Sequence, residues 1–403
     1  MALPTHMQAL TFGGKEKIVL STVPTPQVIR PEDVIVKVAC AAICGSDLHP
    51  FHGREGGIGK NCTTGHEFVG TVVALGNNVK SHRIGDRVAS PFTTNCGGCF
   101  YCTIGATCRC SHEQAGGFGW VDDEQMLLPE KDRKANALQG AHAEFVRVPL
   151  ADATCVKVPD SITDEEAILL GDILSTAFFA AENGDVGPGK AVVVVGCGPV
   201  GLLSILAAQQ LGASKVWAVD SIPDRLAMAA SFGAETLNFK ACDVLATVRA
   251  GTEGRGADVA LELVGTSQAL RLGFDCIRPG GTLSSIGVNT DAAFPFSPQE
   301  AYGKQLTFKC GRCPARQFME VSLRHARPDE PCRNSCRSWL PALLKRGPHI
   351  PESSHIGCTC MKVSKVIGSL TIGKPSRSCF LVHDLSGGNT YAVSRSQLYF
   401  TRS

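Results

Sequence analysis

Hydrophobic and polar residues follow two different rhythms along this chain, and the change falls near residue 160. Before it, the apolar runs are short and rich in β-branched residues: DVIVKVACAAI (Asp33–Ile43), FVGTVVAL (Phe68–Leu75) and RVAS (Arg87–Ser90). Gly-Asn and Gly-Asp pairs at Gly76–Asn77 and Gly85–Asp86 punctuate them. Such pairs relieve the steric cost of a tight turn, so short strands at this spacing predict a barrel-like antiparallel domain. The segment Ser111–Ala141 is polar, contains glycine and lacks a clear period, and reads as a long loop over that domain.

After Ser161 the rhythm alternates between strand and helix. Ser161–Glu182 reads as a helical region, with Thr163 and Glu166 in capping-box spacing. Strands follow at Ala191–Gly196, Lys215–Asp220, Asp258–Gly265 and Gly281–Val288. Helices are expected at Gly201–Gly212, Asp224–Gly233 and Ser267–Ile277. Continuous apolar strands alternating with helices predict a doubly wound parallel sheet, so the fold class is α/β with a β-rich domain in front. The division expected is 1–160, 161–310 and a return segment 311–403.

Composition adds three constraints. A net charge of +2 over 403 residues gives no general pull toward nucleic acid or membrane. The uncharged stretch Ala191–Leu211 has the length of a membrane span, but Gly196, Gly198, Pro199 and Gly201 in its middle suit a strand–turn–helix better. The start MALPTHMQALTFGGKEK has no apolar core of signal-peptide length, so a cytoplasmic protein is expected. In that setting 19 cysteines, several tightly clustered, point to metal rather than to a disulfide scaffold.

The densest cluster is CGGCFYCTIGATCRC, with Cys96, Cys99, Cys102 and Cys110 spaced C-x2-C-x2-C-x7-C. Four thiolates surround one tetrahedral zinc at about 2.3 Å each and leave no open position, so such a site is structural. The plainer reading is a set of buried or oxidisable thiols. Cys108 competes with Cys110 for the fourth place.

Cys44 lies just past an apolar strand in ICGSDLH, and His66 and Glu67 lie in TTGHEFVG. One cysteine and one histidine are half a zinc site. Asp172 adds to them, because it interrupts the apolar run AILLGDILSTAFFAA, where a carboxylate is costly unless something compensates it. A metal would do so; a Gly-Asp break facing solvent is the alternative. Three protein ligands with a fourth position open is the arrangement of a catalytic zinc. Ser46 and His49 follow Cys44 closely and are candidates for passing a proton to solvent, the default being a turn serine and a surface histidine. His52, His82, His112 and His142 read as solvated or packing residues.

VVVVGCGPVG supplies G-x-G-x-x-G at Gly196, Gly198 and Gly201, after a strand and opening a helix. The first glycine allows the turn, the second lets the backbone approach a pyrophosphate, and the third allows close helix–strand packing. Asp220 ends the next strand, where an acid binds ribose hydroxyls and repels a 2′-phosphate, which favours NAD over NADP. Pro199, Val200, Arg225, Val264 and Gly287 complete the set of candidate cofactor contacts.

The motifs CGSDLH, GHEFVG, GDRV, CGGCFYC with its later Cys110, GDILST and GCGPVG resemble those of the medium-chain, zinc-dependent alcohol dehydrogenase family across residues 7–323. AEFVRVPLAD, GDILSTAFFAAE and PDRLAMA look most like its glutathione-independent formaldehyde dehydrogenase-like branch, which has Asp at the third-ligand position. The resemblance implies a GroES-like catalytic domain, a Rossmann domain, two Zn2+ per chain and NAD. It implies hydride transfer from a zinc-bound alcohol, or an aldehyde hydrate, to NAD, with a polyol dehydrogenase as the alternative. By the same resemblance Cys44, His66 and Asp172 hold the catalytic zinc, Glu67 neighbours it, and Ser46 and His49 match a proton relay. It favours Cys110 over Cys108 in the structural site, and it implies a homo-dimer or homo-tetramer.

The resemblance stops after Leu323. Residues 324–403 hold 12 Lys/Arg against 4 Asp/Glu, a net +8, whereas the preceding residues sum to −6. Three readings stand for this tail: a frame-shifted or mis-spliced ending, a divergent folded ending, or a third metal site drawn from Cys332, Cys336, Cys358, Cys360, His349 and His355. Within it, Met361–Gly373 has strand character. The first reading carries a competing class, a zinc- and NAD-binding protein with impaired catalysis.

Overall fold

The computed structural model describes residues 3–319 and the backbone of residues 361–362, 379–384, 389–394 and 397–398. The chain forms two compact units, one containing Met1–Asp172 with a return that starts at Pro314, the other containing Ile173–Cys313.

In the first unit β1 (His6–Gly14) and β2 (Lys17–Pro24) form an antiparallel hairpin. β3 (Val34–Ala42), β4 (Glu67–Leu75), β5 (Arg87–Ser90), β6 (Phe145–Val148) and β7 (Val156–Lys157) form an antiparallel sheet. In it β3 pairs with β4 and β6, β4 with β5, and β5 with β7. Val34, Val36, Val38, Phe68, Val72, Val88 and Val146 make its core. The β-branched valines restrict side-chain rotation and favour the extended backbone, and Phe68 fills the pleated surface between them. The β3–β4 register runs from Val34↔Leu75 to Ala42↔Glu67. Residues that follow β3 and residues that precede β4 therefore emerge at one end of the sheet.

Among the described residues before its return, the first unit also holds four one-turn helices, α1 (Leu48–Phe51), α2 (Phe100–Thr103), α3 (Asp123–Met126) and α4 (Ala151–Thr154), and the longer α5 (Asp164–Gly171). The capping box expected at Thr163 and Glu166 is formed at the start of α5. The helical region expected over Ser161–Glu182 is interrupted, because Asp172 takes φ −140° and ψ −77°. At Gly171 the chain passes so close to β5 that a Cβ would lie 2.6 Å from the Ser90 carbonyl oxygen. The polar segment Ser111–Ala141 is folded down rather than free. It carries α3, makes bridges Thr93↔Gly117 and Phe118↔Leu138, and buries Val121 and Ala137 against Cys62.

The second unit is a parallel sheet of β8 (Ala191–Val195), β9 (Lys215–Asp220), β10 (Glu235–Asn238), β11 (Ala257–Glu262), β12 (Ile277–Ser285) and β13 (Thr307–Cys310). Its order is β10-β9-β8-β11-β12-β13, the doubly wound arrangement in which the strand order reverses beside the first strand. Its helices are α6 (Ile173–Asn183), α7 (Pro199–Gln210), α8 (Pro223–Ser231), α9 (Val244–Ala250), α10 (Ser267–Cys276) and α11 (Pro298–Lys304). Periodicity alone did not find β10, β13, α9 or α11. They are short, and the two strands, ETLN and TFKC, are edge strands with mixed residues, of which only Leu237 is buried.

Within the tail, Met361–Lys362 pair antiparallel with Ala41 and Cys40 of β3. This is the start of the segment read as having strand character. Cys379–Asp384, Asn389–Ser394 and Gln397–Leu398 form a small antiparallel sheet. The third metal site considered for Cys332, Cys336, Cys358, Cys360, His349 and His355 lies outside the described residues.

Candidate active site

Cys44 follows the end of β3 and His66 immediately precedes β4, so the antiparallel register delivers both to one place. Asp172, at the break after α5, reaches the same place because α5 packs on β3, β4 and β5. Cys44 Sγ lies 3.5 Å from Asp172 Oδ2, and His66 Nε2 lies 3.5 Å from the same oxygen. One donor atom from each of Cys44, His66, Glu67 and Asp172 lies within 4.8 Å of the others. A tetrahedral zinc with bonds of ~2.0–2.3 Å sets neighbouring donors ~3.3–3.8 Å apart, so the donor spacing and the soft-plus-imidazole-plus-carboxylate set fit that ion. Asp172 is only 9% exposed, which excludes the solvent-facing alternative considered for it.

Asp47 ties two of these donors together, and sequence reasoning missed it. Its Oδ2 accepts the Cys44 backbone N–H at 2.9 Å, and its Oδ1 lies 3.2 Å from His66 Nδ1. A carboxylate on Nδ1 turns Nε2 toward Asp172, the usual way an imidazole ligand is oriented. The signal was present in CGSDLH, an acid three residues after the cysteine, but only the fold shows that His66 is its partner.

The charges in this cluster oppose one another. Burial, then the charge of Asp172, push the Cys44 thiol up to about 12. Burial and Asp172 likewise raise the Glu67 carboxyl to about 8. Burial works to lower the His66 pKa, but the charge of Asp47 and hydrogen bonds with Asp172 and Asp47 raise it well above the ordinary value. Burial would raise the Asp47 pKa, and the neighbouring His66 holds it down instead. Two buried carboxyls and a half-buried thiol facing one imidazole form a site with a need for positive charge.

Ser46 Oγ is 3.3 Å from His66 Nε2, at the edge of the cluster. His49 sits in α1, and its buried Nδ1 has no hydrogen-bond partner among the described residues. The Phe92 ring stands edge-on to His66 with centroids 6.4 Å apart, an apolar neighbour that the sequence did not single out.

The four-cysteine cluster forms a separate lobe. Donor atoms of Cys96, Cys99, Cys102 and Cys110 also lie within 4.8 Å of one another, and Cys108 is not among them. Cys99 Sγ and Cys110 Sγ are 3.8 Å apart, the separation two thiolates take on one zinc. Backbone N–H groups already point at the sulfurs: Cys99 N–H at Cys96 Sγ and Cys96 N–H at Cys110 Sγ, each 3.3 Å. The backbone of Ser111 and Cys102 lowers the Cys99 thiol to about 5, whereas burial, then the bond with Cys99, pushes Cys102 up to about 12.

In the second unit Gly196 takes φ +96° between β8 and α7. A Cβ on Gly201 would lie 1.8 Å from the Gly196 carbonyl oxygen, so only glycine allows this helix to start here. A Cβ on Gly198 would meet nothing within 4 Å. Gly198 is also the N-cap of α7, with no side-chain cap and with Pro199 and Val200 in the first turn. An open backbone at a helix N-terminus suits a pyrophosphate. Asp220 Oδ2 accepts the Cys197 N–H at 2.8 Å, Oδ1 accepts from Ser221 and Ile222, and Arg225 lies 3.6 Å away. On the far side Val264 is exposed, and a Cβ on Gly287 would lie 2.2 Å from the Gly265 nitrogen. Glu262, absent from the sequence reading, fixes this loop. Its buried carboxylate accepts from Val264 N–H, Gly265 N–H and Ser285 Oγ–H at 2.8, 2.7 and 2.8 Å.

A thiol–imidazole–carboxylate cluster and a nucleotide-type glycine turn in one chain define a metal-dependent, nucleotide-linked oxidoreductase. Comparison with known proteins narrows that class. The alcohol dehydrogenase GroES-like domain matches residues 30–160, and the zinc-binding dehydrogenase domain matches residues 199–322. The chain is 43% identical to the medium chain reductase/dehydrogenase ucsI of Acremonium sp., over 74% of this chain and 99% of that one. It is 41% identical to zinc-type alcohol dehydrogenase B of Aspergillus flavus, over 80% and 73%. Among solved structures, the alcohol dehydrogenase TADH from Thermus sp. ATN1 is similar with a TM-score of 0.71 and 39% identity, over 79% of this chain and 88% of that one. The chain belongs to the medium-chain zinc-dependent alcohol dehydrogenase family. It is a zinc-dependent oxidoreductase of small-molecule CH–OH donors that uses a nicotinamide cofactor. No helix among the described residues is long and apolar enough to cross a membrane.

Proposed function

We propose that this chain oxidises a primary alcohol, or an aldehyde through its hydrate, with NAD, and that Cys44, His66 and Asp172 hold the catalytic zinc. The observation that carries the reading is the convergence of a thiol, an imidazole and a buried carboxylate at the tetrahedral donor distances given above. Zinc in that place supplies a Lewis acid that lowers the pKa of the alcohol, and NAD supplies the hydride acceptor. Asp47 holds the imidazole in the tautomer that presents Nε2. Ser46 and His49 take the alcohol proton outward, a role supported by the Ser46 hydroxyl at the edge of the cluster and by the buried Nδ1 of His49, which has no hydrogen-bond partner among the described residues. Phe92 offers an apolar wall for the carbon chain of the substrate. Glu67 stands beside the metal as a reserve carboxylate. Aspartate as the third ligand supports the formaldehyde dehydrogenase-like branch as the narrower reading.

A second zinc, held by Cys96, Cys99, Cys102 and Cys110, is structural in this reading. Gly196, Gly198, Pro199, Val200 and Gly201 receive the pyrophosphate, Asp220 and Arg225 the adenosine ribose, and Val264 and Gly287 the nicotinamide half. Asp220 favours NAD because its carboxylate repels a 2′-phosphate. The exposed edge strand β13 supports a homo-dimer or homo-tetramer joined through the second unit. A polyol substrate is the second reading, favoured by 31% identity to the sorbitol dehydrogenase of Bacillus subtilis.

The test is reduction of NAD and of NADP by the full chain across primary alcohols, aldehydes and sorbitol. NAD-linked turnover of an alcohol or aldehyde is expected. Sorbitol as the best substrate favours the second reading. Binding of zinc and NAD without turnover of any of them refutes the enzyme and points to the impaired-catalysis alternative.

A further inference from the structure

His142 donates nothing to the metal cluster, yet it touches both chain ends that deliver its first two donors. It follows the folded-down Ser111–Ala141 segment and is 6% exposed. Its Nε2 lies 2.8 Å from the carbonyl oxygen of Ala42, the last residue of β3 and two before Cys44. Its Nδ1 lies 2.9 Å from Thr64 Oγ1, two residues before His66. A carbonyl oxygen only accepts, so Nε2 carries a proton; on the other side Nδ1 pairs with the Thr64 hydroxyl, which also reaches the Leu10 carbonyl at 3.3 Å.

The backbone holds this ring in place from several sides. His142 N–H donates to the Thr64 carbonyl at 2.8 Å, and the His142 carbonyl accepts from Leu10 N–H at 2.8 Å. The preceding residues are zipped to the same strip: Gly140 N–H to Thr63 O at 2.8 Å and Ala141 N–H to Gly65 O at 3.0 Å. Gly65 takes φ +92°, and a Cβ there would lie 2.4 Å from His142 Cδ2. Glycine at 65 is therefore required twice, for the turn and to admit the imidazole next to the residue before His66.

A residue that only filled space here would be better apolar, since a buried imidazole is costly unless both nitrogens are bonded. Both are bonded, and each partner belongs to a different ligand-bearing end. Asp47 also joins these two ends, through Cys44 N–H and His66 Nδ1. The Cys44 end is thus bonded at Ala42 and Cys44, and the His66 end at Thr64 and His66.

We propose that His142 is a positioning residue of the metal centre, fixing the separation of Cys44 and His66 by bridging Ala42 and Thr64. The inference rests on the reading of Cys44, His66 and Asp172 as zinc ligands. It also gives the Ser111–Ala141 segment a task, because that segment carries the ring to the centre.

The test uses the full chain with cobalt(II) in place of the catalytic zinc. His142→Phe, His142→Gln, Thr64→Val and Asp172→Ala are compared by cobalt absorption, by metal release to a chelator, and by kcat and KM measured separately. His142→Phe is expected to shift the cobalt bands, to speed metal release roughly 10–100-fold and to lower kcat more than KM changes, the scale of outer-shell losses at metal sites. His142→Gln should restore part of this, because its amide N–H reaches for the Ala42 carbonyl. If His142→Phe does not fold, Thr64→Val decides, since it keeps the side-chain volume and removes only the hydroxyl. Parental spectrum, release rate and kcat in His142→Phe, or in Thr64→Val in its place, overturn the proposal. If Asp172→Ala loses the catalytic metal while these variants behave as the parent, only the role of His142 falls. If Asp172→Ala also keeps the metal, the ligand reading falls and the proposal with it.

Discussion

The four-cysteine lobe and the Cys44–His66–Asp172 cluster lie in the same unit and are built in opposite ways. The lobe draws its donors from one stretch, Cys96 to Cys110, and local turns aim backbone N–H groups at its sulfurs. The other cluster joins residues as far apart as Cys44 and Asp172, 128 positions in sequence, through strand register and helix packing. The lobe is all thiol, which suits a closed structural ion. The other mixes a thiol, an imidazole and carboxylates, the donor types that a catalytic zinc takes. A local site stabilises the peptide that makes it, whereas a distributed site borrows its geometry from the whole unit and serves chemistry.

The largest effect should separate the two in activity. Asp172→Ala or Cys44→Ala is expected to lower kcat/KM by ~10^3-fold or more, since the Lewis acid contributes several kcal/mol to the transition state. Cys102→Ser should leave turnover per folded molecule within a few-fold of the parent. Steady-state kinetics on both breaks the comparison if the lobe variant loses as much per folded molecule as Asp172→Ala.

Stability should respond the other way round. Cys102→Ser should lower Tm by several degrees, with each kcal/mol worth roughly 2–4 °C in units of this size. Asp172→Ala should shift Tm less, because strand register and the packing of α5, rather than the ion alone, hold this cluster together. Calorimetry on the two variants checks the order.

How far each site could be read from sequence follows from the same contrast. The lobe was visible as a spacing, and in the fold it is Cys110 rather than Cys108 that clusters with the other three. The glycine turn was visible because strand, turn and helix are contiguous. Cys44 and His66 were each weak alone, and what joins them is the Ala42↔Glu67 register. Asp47 and Glu262 were not found, and His142 was read only as a solvated or packing residue, because their partners are set by tertiary contacts and no local pattern marks them. The short edge strands β10 and β13 escaped for a related reason: an exposed edge carries little hydrophobic period.

A smaller effect probes the second layer of the distributed site. Asp47→Asn keeps an acceptor for Cys44 N–H but replaces the anion facing His66 Nδ1, and should cost about 10–100-fold in metal affinity or activity. Chelator competition measures it. A parental affinity would mean that the sheet alone positions His66.

The smallest effect concerns the wall under the lobe. Asn95 N–H bonds Thr154 Oγ1 of α4, and Asp152 of the same helix caps Ser81 beside His82. Burial lowers the His82 pKa below its ordinary 6.5, with Asp152 opposing. The unfolded chain then binds a proton that the folded chain resists, so stability falls as pH drops from 6.5 toward the folded value. His82→Gln should flatten that decline, read as Tm against pH. An unchanged slope would show that His82 does not set it.

The central claim is that a second zinc sits on Cys44, His66 and Asp172, and counting zinc by native mass spectrometry on the full chain tests it most directly. The account predicts two zinc ions in the parent, one in Asp172→Ala with alcohol-dependent NADH formation lost, and one in Cys102→Ser with NADH formation per folded molecule kept. Two zinc ions and parental turnover in Asp172→Ala would contradict it.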